Sequence, residues 1–129
     1  MIDALLTYLN ANKPTGINSV EDGWDIEAIE SVRDIVPAMW ISPGDDTAED
    51  SGHDFVQGNY ITQHLQVDFV CLRTEFEVIR GEIRSALIGW SESTNHDDLA
   101  LDGGRTMSQK GDIIWWSETY HNRYQKISS

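Results

Sequence analysis

The sequence predicts an α+β fold (an α/β sandwich): a small, mostly antiparallel or mixed β-sheet packed against two main helices, with one long acidic loop. Three stretches carry this reading. Residues 60–72, "YITQHLQVDFVCL", place Ile61, Leu65, Val67, Phe69 and Cys71 on one side and His64, Gln66 and Asp68 on the other, the period of two of a half-buried strand. Residues 74–88 then change to a helical period, with Phe76, Ile79, Ile83, Ala86 and Leu87 forming one stripe. Residues 111–124, "GDIIWWSETYHNRY", set β-branched and aromatic residues after a Gly-Asp turn, which favours a second long strand.

The remaining elements follow in chain order. Ile2, Leu5, Leu6 and Leu9 recur at helical spacing over residues 2–11, and Lys13-Pro14-Thr15-Gly16 ends that helix because proline cannot continue it. A short, weaker helix is expected over residues 24–33, "WDIEAIESVR". Pro37 opens "PAMWIS", a short and mostly buried strand. The following "SPGDDTAEDSGHD" carries Asp45, Asp46, Glu49, Asp50 and Asp54 beside proline and glycine. It has no apolar face to bury and is expected to be a long exposed loop. Val70 and Leu72 interrupt the polar side of the 60–72 strand, so its end should be buried on both sides. Gly89 marks the stop of the second main helix. "SESTNHDD" reads as a polar turn, "LALDGG" as a short strand with a glycine turn, and Gln109-Lys110-Gly111-Asp112 as a tight turn before the last strand.

A chain of 129 residues with 40% hydrophobic residues suffices for one core, so residues 1–129 are read as a single domain. No run of about 18 apolar residues is present, and "MIDALLTYLN" lacks the basic n-region of a signal peptide. A soluble intracellular protein is expected, with no membrane contact. Cys71 is the single cysteine, which excludes an intrachain disulfide and a multi-cysteine zinc site; within its apolar run it should be a buried thiol.

Charge is the unusual term, with 22 acidic against 9 basic residues and a net of −13. Residues 1–72 hold 13 of the acids and only Lys13 and Arg33 as bases. Phosphate neutralisation needs a basic patch, so sequence-specific nucleic-acid binding is disfavoured. An acidic surface of this kind serves solubility, or docks a basic protein, or keeps DNA from adhering.

No catalytic constellation emerges. His53, His64, His96 and His121 follow no metal-ligand spacing, and Asp45/Asp46 and Asp97/Asp98 fall in expected loops, where general acid–base chemistry lacks rigid placement. Gly103-Gly104 lacks the frame of a phosphate loop. No enzymatic activity and no cofactor are expected. The aromatic segment differs in kind. In a strand, Ile114, Trp116, Glu118, Tyr120, Asn122 and Tyr124 share one side, and Ile113, Trp115, Ser117, Thr119, His121 and Arg123 the other. One tryptophan can enter the core against the helices; the other requires a loop, a second layer or a partner chain. Alternation alone does not say which is which. Tryptophan and tyrosine are over-represented at protein interfaces, and Trp115, Thr119, His121 and Arg123, with the acids Asp45, Asp46, Glu49 and Asp50, are the candidate interface residues.

From Val36 to Tyr124 the chain resembles bacteriophage tail terminator (tail completion) proteins. The resemblance rests on the helix ending Leu87-Ile88-Gly89-Trp90, the glycine-containing stretch from Leu99 to Arg105, and the strand from Ile113 to Tyr124 with its polar-aromatic tail. "VPAMWISPGDD" and "QVDFVCLRTE" add a proline-led strand with an acidic loop and a strand running directly into a helix. Residues 13–24 match no feature of the family. The resemblance implies a structural virion protein without enzymatic activity, forming a homo-oligomeric, hexameric ring that caps the tail tube. Its implied partners are the tail tube protein and a neck or head-completion protein, and its implied place is the tail–neck junction after assembly in the host cytoplasm, with DNA passing through the lumen. Two alternatives are another head–tail connector protein and an acidic DNA mimic that inhibits a host protein, the latter suggested by the acidic first half.

Overall fold

The computed structural model describes residues 2–17, 19–22, 37–49, 58–93 and 96–127. The first helix, α1, spans Ile2–Ala11 and buries Leu5 and Leu9, as their spacing requires. Strands β1 (Ser19–Asp22), β2 (Ala38–Glu49) and β3 (Gly58–Leu72) follow. A single 3-10 turn, Arg73–Glu75, leads into helix α2 (Phe76–Leu87), and the chain ends in strands β4 (Ala100–Lys110) and β5 (Ile113–Ile127). The short helix expected over residues 24–33 lies outside the described residues.

The strands form one mixed, mostly antiparallel sheet in the order β1-β2-β3-β5-β4. Only β1 and β2 run parallel; the other neighbours are antiparallel. The longest ladder joins β3 to β5, from Gly58↔Ile127 to Leu72↔Ile113. Both helices lie on one face. Leu5 and Leu9 of α1 and Ile79, Ile83 and Leu87 of α2 pack with Met39, Ile41, Leu65, Val67, Phe69, Cys71, Ile114 and Tyr120 in one core. A smaller cluster of Ala38, Trp40 and Val70, with Ile113 and Trp115 against it, lies on the opposite face. Val70 is thereby buried where its position predicts. Helix α2 stops where glycine supplies the left-handed turn: Gly89 has φ 90° and its N–H donates to Leu99 O at 3.0 Å.

Two loop expectations are corrected. Residues 43–49 continue β2, and the pairing with β3 runs on to Glu49↔Tyr60. The register shifts between Pro43 and Asp46, so a bulge absorbs the proline and glycine that suggested a loop. An apolar face is not needed for backbone pairing. Likewise β4 runs straight through Gly103 and Gly104, with register shifts at Leu101/Gly103 and Thr106/Ser108, and the hairpin reverses only at Gly111-Asp112.

Gly104 serves a close approach and not a turn. A Cβ there would lie 2.8 Å from both Cζ2 and Nε1 of Trp116. That indole is held from its other sides, with its ring centroid 5.1 Å from Phe76 in an edge contact and 5.4 Å from the Arg80 guanidinium carbon. Gly104→Ala is therefore expected to destabilise the protein by about 1–3 kcal/mol through overpacking. Urea denaturation should show a lower midpoint at unchanged slope; an unchanged midpoint would mean the ring moves aside freely.

Candidate assembly surface

Alternation along β5 puts one tryptophan on each face of the sheet, and each indole N–H ends on a carboxylate. On the helix-covered face Trp116 Nε1 donates to Glu118 Oε2 at 3.1 Å. Glu118 is fully buried and also accepts from Tyr120 Oη at 2.9 Å, from Arg84 Nε at 2.8 Å and from Arg84 Nη2. This ion pair ties α2 to β5 and leaves the buried carboxylate saturated with donors. It pushes the Arg84 guanidinium further up, chiefly through the hydrogen bonds to Glu118. Burial, with Glu118 beside it, pushes the Tyr120 phenol far above its ordinary range.

On the opposite face Trp115 Nε1 donates to Asp68 Oδ1 at 3.0 Å, and Gln66 Nε2 donates to Asp68 Oδ2 at 3.0 Å. Asp68 is also fully buried, and loss of water raises its carboxyl above 3.8, its ordinary value. Hydrogen bonds from Trp115, Gln66 and Ser117 and the charge of Arg105 oppose that rise without cancelling it. The two carboxylates differ in one respect: Glu118 Oε2 takes both Nε and Nη2 of Arg84, and Asp68, among the described residues, relies on neutral donors with Arg105 only nearby.

Farther along the Asp68 face the surface opens. Thr119 and Arg123 are exposed, and the Arg123 guanidinium lies 4.5 Å from the Tyr60 ring centroid and 3.5 Å from Asp97 Oδ2. His121 Nδ1 bonds to Asp102 Oδ1, and its ring centroid is 6.3 Å from that of His64, its cross-strand neighbour. A shallow cavity of about 390 Å³ beside them is lined by Thr62, Asp97, Asp98, Ala100, His121, Asn122 and Arg123. Its lining is mainly polar, with Asp97 and Asp98 beside Arg123.

Of the residues expected at an interface, Trp115, Thr119, His121 and Arg123 therefore do share one face. Trp115 is half-buried against Ala38, Trp40 and Val70, so its ring already has cover within the chain. Asp45, Asp46 and Glu49 lie on β2, separated from β5 by β3, and Asp50 is outside the described residues. Sequence reasoning passed over Asp68, Glu118 and Arg84. A signal existed for Glu118, because it falls on the side of β5 that also carries Ile114, Trp116 and Tyr120. An acid in a core-facing register demands a cation, and Arg84 stands near the end of the helix above it.

Among the described residues no group of three or more His, Cys, Asp or Glu is arranged to hold a metal ion. The buried acids Asp68 and Glu118 are bound by side chains of the neighbouring strands β3 and β5 and of α2. The family model of the phage tail terminator protein matches residues 3–128, and the chain belongs to that family. It is thus a structural virion protein with a non-enzymatic role, a component of the phage particle that contacts other virion components. Among solved structures, a chain from the virion of a native gene transfer agent particle superposes with a TM-score of 0.55 at 13% identity, covering 96% of this chain and 93% of that one. At that identity the likeness is one of fold. No curated protein matches the chain in sequence.

Two variants test the split between the faces. Trp116→Ala removes a half-buried ring and one donor to Glu118, and is expected to cost about 3 kcal/mol, the lower end for a tryptophan. A loss under about 1 kcal/mol in urea denaturation would show that the ring is dispensable to the core. Asp68→Asn tests the raised carboxyl. The folded protein holds its proton more tightly than the unfolded chain, so wild-type stability contributed by this group is present at low pH. It is lost as pH rises from 3.8 through the raised value. The stability of Asp68→Asn relative to wild type should therefore be more favourable at pH 7 than at pH 4. A difference independent of pH would contradict the shift.

Proposed function

We propose that this single domain assembles into a hexameric ring that caps the phage tail tube, stops tube polymerisation and presents the surface to which the neck attaches. The observation that carries this reading is the family match across nearly the whole chain, residues 3–128. Its partners are then further copies of itself, the tail tube protein and a neck or head-completion protein. The ring forms in the host cytoplasm and ends at the tail–neck junction of the virion.

The charge supports the same reading. A net of −13 gives a lumen wall that repels passing DNA, while acidic faces attract a basic rim on the tube. Trp115, Thr119, His121 and Arg123, together with Asp45, Asp46, Glu49 and Asp50, supply candidate contacts with neighbouring subunits or tube. The exposed members of the β5 face, Thr119 and Arg123, are the best placed of these. A connector acting on the head side would share the location but not the effect on length, and a DNA mimic would need no tail protein at all.

Phage deprived of the protein should build overlong, headless tails, visible by electron microscopy. Tails of normal length that fail to join heads would assign it to the connectors instead. Binding to tail tube protein should weaken with added salt, since acid–base contacts at a surface are screened.

A further inference from the structure

The sheet has two outer edges, and they differ in charge. On one side β4 ends the sheet, its outer side bearing no strand among the described residues. Gly104, Arg105, Thr106 and Met107 are exposed there, Met107 at 37%. Its charged residues are Arg105, Lys110 and Asp102, a net of one positive charge. On the other side β1 covers only residues 38–41 of β2. Residues 42–49 are paired to β3 alone, among the described residues. Together β1 and this arm of β2 carry Glu21, Asp22, Asp45, Asp46 and Glu49 and no lysine or arginine. One edge is thus acidic, and the other carries a net positive charge in a protein of net charge −13.

Strand direction adds a second match. From β2 through β3 and β5 to β4 every step is antiparallel, so β2 and β4 run in opposite senses. A second copy rotated about an axis inclined to the strands is also shifted several residues along them, and this brings its β2 arm, level with residues 119–125 of its own β5, antiparallel beside β4 of the first, which ends level with His121. The alternation continues across the junction without inverting either copy. We propose that copies of this chain join edge to edge, β4 of one pairing with residues 42–49 of β2 in the next. This rests on the ring reading and names the contact that builds the ring.

Such a junction is heterologous, with different surfaces on its two sides, and repeated it closes into a ring when the rotation divides a full turn. Charge selects it over the alternatives. Two acidic edges repel, and two β4 edges set Arg105 and Lys110 of one copy near those of another. The acids of the β2 arm thus protect that edge from its own kind while admitting the basic one, so attraction and exclusion act through the same residues.

The first test is cross-linking, which leaves every charge in place. Thr47→Cys and Thr106→Cys lie on opposite edges, three strand spacings apart and also seven residues apart along the strands, so roughly 27 Å from each other within one copy. Native Cys71 is fully buried with its thiol pushed up to about 11, so a short bismaleimide should spare it. In the presence of tail tube protein the double variant should give a ladder of covalent oligomers up to the full ring. Each single variant should give none. Wild-type rings accompanied by no ladder, or dimers from Thr106→Cys alone, would overturn the edge junction and leave the ring standing. Wild-type protein that never assembles, alone or with tube protein, would overturn the ring and the junction with it.

The second test exchanges the charges. Arg105→Glu/Lys110→Glu and Asp46→Lys/Glu49→Lys should each lose assembly by light scattering while melting cooperatively. Mixed in equal amounts they should regain it, because every junction again joins an acidic edge to a basic one. Full assembly by either variant alone, or folded variants whose mixture stays unassembled, would overturn the proposal.

Discussion

The burial of a carboxylate on each face of one strand pair is the constraint around which the rest of this molecule is arranged. A buried acid without partners costs several kcal/mol, so each must be met by donors fixed in place before the faces can close. Strand β5 supplies the donors by alternation. Trp116 reaches Glu118 on its own side two residues on, and Trp115 reaches Asp68 on the neighbouring strand. Adjacent tryptophans can do this only from a strand, since a helix would turn them about 100° apart onto neighbouring faces. The Glu118 side then calls Arg84 down from α2, which fixes the helix above β5. Among the described residues the Asp68 side has no such cation in contact, and burial raises the Asp68 carboxyl.

That arrangement sets what the edges of the sheet look like. Because the Trp116 indole comes within 2.8 Å of where a Cβ at position 104 would stand, β4 has to pass it without a side chain there, and Gly104 occupies that place. The strand crosses with two register shifts and little apolar surface of its own. β2 reaches beyond its parallel neighbour with a bulge that takes in Pro43 and Gly44, and Gly44 lies so close to β3 that a Cβ would stand 2.9 Å from that of His64. Glycine in both edge strands is thus a packing requirement of what lies beside it. An edge built this way keeps its backbone groups available, and natural proteins protect such edges with charge.

The sequence made the two main helices and the two longest strands legible because each shows one clean period over ten or more residues. Leu5 and Leu9, then Ile79, Ile83 and Leu87, are buried as their spacing demands. The strand identity of residues 43–49 was not legible, because the signal for a strand is side-chain burial and an acidic edge strand has none to show. The same blindness affected Gly103-Gly104: glycine for a turn and glycine for a close ring contact are written with the same letter. Asp68 and Glu118 looked like ordinary polar positions, since what buries them comes from other strands and, for Glu118, from a helix 34 residues earlier. The candidate interface on β5 was legible as a face, and Trp115 turned out to have intrachain cover that alternation cannot reveal.

What the edges and the tethered faces have in common is that both leave the monomer with unequal surfaces. The helix side of the sheet is closed by its own core, and the Asp68 side is closed at one end and open at Thr119 and Arg123. One edge is acidic and the other basic. A molecule with two different, mutually complementary edges has no reason to pair about a two-fold axis, because that operation sets like against like. Head-to-tail contact is the geometry such asymmetry favours, and a ring is its closed form. The pronounced acidity of the first half, which as a bulk property says only that copies repel, then acquires a local meaning. In the proposed ring, repulsion between misaligned copies would narrow the approach to the one orientation in which acidic and basic edges meet.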